Sequence, residues 1–203
     1  MSVRDSGVPF VGLTGGLGAG KSTALAALER LGAAVLSTDA VVHDLYASPE
    51  IRDAVVERWG DGVVSDGTVD RAAVAARAFA SSDDRAWLEQ LLWPRVGDRV
   101  ERWRAEAMTA TPVPRAVVVE VPLLFEAGME PLFDATIAVV ADEEVRAERA
   151  GNRGHAAVDE RSQRQLPQEE KARRATFAVS NSGTVSELER ELSALLDKLD
   201  ADR

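Results

Sequence analysis

Residues 8–23 read Val8-Pro9-Phe10-Val11-Gly12-Leu13-Thr14-Gly15-Gly16-Leu17-Gly18-Ala19-Gly20-Lys21-Ser22-Thr23. The apolar run 8–13 reads as a buried strand. From residue 21, Leu25, Leu28 and Leu31 recur at helical spacing until Gly32 stops them. Between strand and helix, residues 15–22 fit G-x-x-x-x-G-K-[ST] at every fixed position. Gly15, Gly16, Gly18 and Gly20 let the backbone turn tightly with its N–H groups inward. The helix starting near Lys21 adds its positive N-terminal end. Lys21 supplies a cation for the β- and γ-phosphates, and Ser22 offers a hydroxyl to Mg²⁺. This predicts a nucleoside triphosphate site. It does not separate kinases, GTPases and ATPases.

Outward from the loop, apolar segments alternate with helical ones. Strands are expected at 33–36, 116–121, 135–140 and 177–179. Val117-Val118-Val119 has no polar alternation, as in a parallel strand buried on both faces. Helices are expected at 41–46, 51–59, 70–80, 84–108 and 143–150. Pro94 should kink the fourth of these or mark a joint between two helices. Val185, Leu188, Leu192, Leu195 and Leu199 make the tail an amphipathic helix. Turns fall at 60–62 and 66–67. The pattern predicts an α/β fold with a parallel sheet and helices on both faces. The all-helical stretch 66–110 interrupts the alternation and reads as an insertion beside the sheet's carboxyl edge.

Composition bounds the function classes. The 203 residues are 45% hydrophobic and 29% charged, as in an ordinary globular protein. No apolar run approaches bilayer length, and residues 1–9 lack a signal core, so a cytoplasmic location without membrane attachment is expected. Cysteine is absent, which excludes disulfides, thiolate zinc sites and cysteine nucleophiles. The net charge of −10 argues against non-specific nucleic-acid binding. Residues 146–174 nevertheless carry eight Lys/Arg against five acids. That locally basic segment suits a small polyanion, or it is a solvated helix laced with ion pairs.

No Asn/Thr-Lys-x-Asp segment for guanine and no Asp-x-x-Gly switch follows the phosphate loop. A compact small-molecule kinase remains, or a nucleotide-binding module without catalysis. Asp39 falls 18 residues after Lys21, at the end of the second strand. A carboxylate there accepts or orients a substrate hydroxyl's proton, or it caps the helix that follows. Arg149 and Arg153, with Arg161 further on, suit a lid that neutralises transferring phosphate. Glu120, ending the 117–119 strand, reads as an edge acid or as a water-mediated Mg²⁺ contact. His43 and His155 make no metal-ligand pair.

At this point the sequence resembles the dephospho-coenzyme A kinase family, from about residue 10 to 183. The string 12–23 resembles the family's first block, and Asp39 stands where its catalytic aspartate is found. Asp70-Arg71 and Phe79 resemble its helical insertion. Pro122-Leu123-Leu124-Phe125-Glu126 resembles its most specific signature. Arg149, Arg153, Arg161 and Gln165 resemble its lid, and Asn181-Ser182-Gly183 the Asn-x-Gly after its last strand. The chain departs where Trp93-Pro94 replaces the usual His-Pro. Trp93 is either core or an aromatic wall of the acceptor site. The segment between Arg153 and Gln165 is about two residues shorter than usual.

The resemblance implies a P-loop NTPase fold: three layers, α/β/α, around a five-stranded parallel sheet. The chain is then a single kinase domain. Its core is 8–65, 111–145 and 176–203, its acceptor insertion 66–110 and its lid 146–175. The implied reaction moves the γ-phosphoryl of ATP, with Mg²⁺, to the ribose 3′-hydroxyl of dephospho-coenzyme A. Catalysis falls to Asp39, Lys21 and Arg149. Gly16, Leu17, Gly18, Ala19, Gly20, Lys21, Ser22, Thr23, Arg149 and Arg153 hold ATP, with Ser22 on the metal. Thr14, Asp39, Arg71, Trp93, Pro94, Leu123 and Arg161 face the acceptor. A monomer or weak homo-oligomer is expected. The alternatives are a kinase for another small hydroxyl acceptor and a non-catalytic ATP-binding regulator.

Overall fold

The computed structural model describes residues 7–151 and 165–201. Arg153, Arg161 and His155 lie outside them. The described residues form two compact units. One combines the residues up to Ser37 with those from Arg104 onward, and the other is Thr38–Trp103.

The first unit is built on the strands β1 (Phe10–Gly15), β2 (Ala34–Ser37), β5 (Val117–Glu120), β6 (Ala135–Val140) and β7 (Phe177–Ser180). They form a five-stranded sheet in the order β2-β5-β1-β6-β7, and every pairing in it is parallel. The glycine loop leads from β1 into α1 (Lys21–Arg30). The unit also holds α6 (Glu143–Gly151), α7 (Gln168–Arg174) and α8 (Val185–Ala201).

Strand alternation assigns the two faces of β1. Val11 and Leu13 point into a core shared with Ala24, Leu28, Val118, Ile137, Val139, Leu188 and Leu192. Each fully buried leucine there contributes about 1.5–3 kcal/mol. On the other face, Phe10 stacks on Phe133 with centroids 4.8 Å apart. The Arg104 guanidinium lies 4.0 Å from the Phe10 ring. Gly12 backs against Leu124 and Phe133, where a Cβ would come within 2.5 Å of Leu124 Cδ1. Thr14 meets the side chain of Lys171 from α7.

The second unit holds α2 (Thr38–Tyr46), α3 (Pro49–Trp59), the hairpin β3 (Val64–Ser65) and β4 (Thr68–Val69), α4 (Arg71–Ala80) and most of α5 (Ser82–Met108). It buries Ile51, Val55, Val63 and Val74 completely, and aromatic and ionic contacts add to that core. Trp59 meets Trp87 edge-on at 5.0 Å, and Arg58 pairs with Asp84 at 2.7 Å. The expected joint at Pro94 does not divide α5, which runs through it as one helix. Proline removes one backbone donor, and the adjacent Leu91 carbonyl takes a 2.6 Å bond from the Arg95 side chain.

Candidate functional site

The phosphate loop forms where β1 ends. Gly18 and Gly20 adopt left-handed backbone, with φ of 73° and 87°. Gly20 is the N-cap of α1. No acidic side chain stands in the first turn of α1, so its N-terminal field is uncompensated from within the helix. Lys21 Nζ curls back to donate to the carbonyls of Gly15 (3.1 Å) and Gly16 (3.3 Å). Ser22 is exposed in that first turn, and Thr23 is half-buried.

Three side chains brace the loop from outside. Arg146 Nε donates to the Leu17 carbonyl at 3.0 Å. A Cβ on Gly18 would come within 2.5 Å of the Arg146 carbonyl. Asn181, buried after β7, donates from Nδ2 to the Ala19 carbonyl at 2.9 Å. Arg149 Nη1 donates to the Asn181 carbonyl at 3.0 Å, so Arg149 reaches the loop through Asn181. A groove of ≈ 390 Å³ opens beside these groups, lined by Gly16, Leu17, Arg146, Gln165 and Gln168 among others. Arg146 and Asn181 carry more of this geometry than spacing suggests. In the sequence Arg146 is only one charge among eight, and Asn181 lies 162 residues from Ala19.

Beneath the loop, the buried Thr14 donates to the Pro122 carbonyl at 3.2 Å. Glu120 ends β5 with 8% exposure, in register with Ser37 of β2 and Leu13 of β1. It therefore lies at the carboxyl edge, where ligands of such sheets bind. Among the described residues no three His, Cys, Asp or Glu side chains gather to hold a metal. Ser22 offers a hydroxyl and Glu120 a carboxylate, oxygen donors of the kind Mg²⁺ takes beside nucleotide phosphates. Leu123 is half-buried in the turn after β5.

In the second unit, Asp39 occupies the first turn of α2 and not its cap position, because the helix already begins at Thr38. Ser37, the last residue of β2, precedes it by two. Arg71 is exposed at the start of α4 and bonds to His43 Nδ1 at 2.9 Å. Asp70 caps α4, accepting from the N–H groups of Ala72 and Ala73. Trp93 is 59% exposed, which removes the core reading and leaves its ring accessible. Pro94 beside it is exposed too.

The comparisons agree with one another. The family model described as dephospho-CoA kinase matches residues 9–187. A dephospho-CoA kinase of Deinococcus radiodurans is 42% identical over 196 residues, covering 94% of this chain and 92% of the relative. That of Chromobacterium violaceum is 38% identical over 194 residues, covering 92% of each. Among solved structures, TT1252 from Thermus thermophilus superposes with a TM-score of 0.78 at 34% identity, over 95% of this chain and 98% of that one. The dephospho-CoA kinase of Campylobacter jejuni, at 19% identity, shares the fold with a TM-score of 0.64, again over 95% and 98%.

Proposed function

The chain belongs to the dephospho-CoA kinase family, and we propose how its own residues carry the reaction of that family. The enzyme transfers the γ-phosphoryl of ATP to the ribose 3′-hydroxyl of dephospho-CoA, giving CoA and ADP as the final step of CoA synthesis. The observation that carries the assignment of roles is the braced phosphate loop, with Lys21 folded over it and Arg146, Arg149 and Asn181 behind it.

In this reading the loop amides 16–20 and the first turn of α1 bind the ATP phosphates, and Lys21 follows the charge that moves with the γ-phosphoryl. Ser22 would hold Mg²⁺ together with the phosphates, with Glu120 as an acid at the same sheet edge. Mg²⁺ supplies neutralisation of the phosphate oxygens. Asp39 orients the ribose hydroxyl and takes its proton. Arg149, with Arg153 and Arg161, stabilises the transferring group. Thr14, Leu123, Arg71, Trp93 and Pro94 serve the acceptor. Little covalent chemistry falls to the protein, so positioning and preorganised charge supply most of the acceleration. No helix among the described residues is long and apolar enough to cross a membrane. A cytoplasmic monomer or weak homo-oligomer suits this reading.

The test is a chromatographic assay with Mg·ATP and dephospho-CoA. CoA and ADP should form in equal amounts. Lys21→Ala should lower kcat by about 100-fold or more, and Asp39→Asn by about 100- to 10,000-fold. ATP binding without CoA formation would overturn the catalytic reading in favour of a non-catalytic one. Near-normal turnover by Asp39→Asn would remove the role given to that carboxylate.

A further inference from the structure

Lys171 lies on α7, whose sequence Gln168-Glu169-Glu170-Lys171-Ala172-Arg173-Arg174 contains no large apolar residue. The helix nevertheless docks on the sheet, and the side chain it buries is a lysine with no solvent exposure. A buried ammonium is costly unless every N–H finds a partner. Here three do: Pro122 O at 2.7 Å, Glu126 at 3.0 Å and Thr14 Oγ1 at 3.4 Å. The same Glu126 Oε1 accepts from the Leu166 N–H at 2.7 Å, which fixes the approach to α7. Burial draws the Lys171 pKa down, and Glu126 opposes that shift.

The partners are not scattered. Thr14 is the residue before Gly15 of the phosphate loop, and Pro122 stands two residues beyond the end of β5. Lys171 thus ties the carboxyl ends of two neighbouring strands to one charge. Its bonds go to Thr14, Pro122 and Glu126, whereas the loop carbonyls of Gly16, Leu17 and Ala19 are bonded by Lys21, Arg146 and Asn181. A methionine of similar length would fill the same space without the cost of burying a charge.

We propose that Lys171, paired with Glu126, is a positioning residue for phosphoryl transfer. It fixes the Thr14 hydroxyl and the Pro122 carbonyl, and through them the acceptor, while ATP binding stays with the loop. This inference rests on the dephospho-CoA kinase reading above.

The test is steady-state kinetics with ATP and dephospho-CoA varied independently, together with thermal melts. The variants are Lys171→Met, Lys171→Met/Glu126→Gln, Thr14→Val and Lys171→Met/Thr14→Val. The Glu126→Gln change removes the charge left unpaired and keeps an acceptor for Leu166. Lys171→Met, alone or combined with Glu126→Gln, should lose about 10- to 100-fold in kcat/KM for dephospho-CoA. KM for ATP should stay within about twofold, because the loop's own contacts are untouched. Thr14→Val should show a similar loss, and combining it with Lys171→Met should add little, since Lys171, the Thr14 hydroxyl and the Pro122 carbonyl form one hydrogen-bonded set. Wild-type acceptor kinetics in a folded Lys171→Met/Glu126→Gln protein would overturn the proposal. So would an equal rise in both KM values, or additive losses in the Thr14 pair. If neither Lys171 variant folds, wild-type acceptor kinetics for Thr14→Val still overturn it. A wild-type chain that forms no CoA removes the functional reading and this inference together, whereas an active wild type with unaffected variants removes this inference alone.

Discussion

At the scale of single residues, Gly20 shows why the loop motif is legible and its bracing is not. The motif demands glycine there, and the left-handed φ of 87° is one reason. The second reason is the Asn181 amide, which occupies the space a Cβ on Gly20 would take. Gly20→Ala is therefore expected to displace Asn181 from the Ala19 carbonyl and, through Asn181, the Arg149 contact. Calorimetric titration with a non-hydrolysable ATP analogue should show about 100-fold weaker binding or worse, a loss of ~3 kcal/mol. Binding within about threefold of wild type would mean that the loop tolerates the displacement. Asn181 leaves a trace in the sequence only through the family's Asn-x-Gly. No local rule connects it to a loop 162 residues earlier. Trp93 shows the opposite failure. An aromatic on a helix reads as core by default, yet its 59% exposure comes from its place on α5, which no periodicity count could fix.

At the scale of elements, capping and apolar period locate most helices, and what they omit follows from tertiary contacts. Asp70 stands out in the sequence for its likeness to a family motif, and its geometry is that of an N-cap with two backbone donors. Asp70→Ala should lower stability by about 1 kcal/mol, while Asp70→Asn should stay near wild type. Urea midpoints at neutral pH check this, and equal losses for Ala and Asn would shift the explanation from the cap to the charge. Thr184 and Glu187 make a reciprocal cap at the start of α8, with Glu187 Oε2 accepting from the Thr184 N–H at 2.7 Å. Their Thr-x-x-Glu spacing is a signal that sequence carries. The continuity of α5 through Pro94 is not, because a proline's local penalty is set against packing along all 27 residues. α7 escapes apolar-period reading altogether, since its docking residue is a buried lysine.

At the scale of the whole molecule, alternating strands and helices announce a parallel sheet. The order β2-β5-β1-β6-β7 depends on long-range pairings that no window of sequence contains. Acid sensitivity also belongs to this scale, because the responsible groups are spread over both units. Asp84 is held below its ordinary 3.8, first by its hydrogen bond from Arg58. Glu130 is held below 4.5, first by a bond to its own backbone N–H and then by Arg174. Glu187 is held below 4.5, first by the Thr184 N–H. All three are ionised in folded and unfolded chains above these ordinary values, so their contributions are fully present there. As pH falls through them, the unfolded chain takes up protons first, and stability declines until the folded values are passed. Burial lowers the Lys171 pKa, so deprotonation as pH rises relieves a burial cost, opposite in sense to the carboxylates. Urea midpoints measured from pH 7 down to 3 should begin to fall below about pH 5. The fall should be shallower in high salt than in low salt from the Arg58 and Arg174 pairs, which are partly exposed and screened. The Glu187 share, made to a backbone amide, should persist. A curve flat to pH 3 would mean these bonds do not survive in solution, and a decline already complete by pH 5.5 would place the acid-labile group elsewhere.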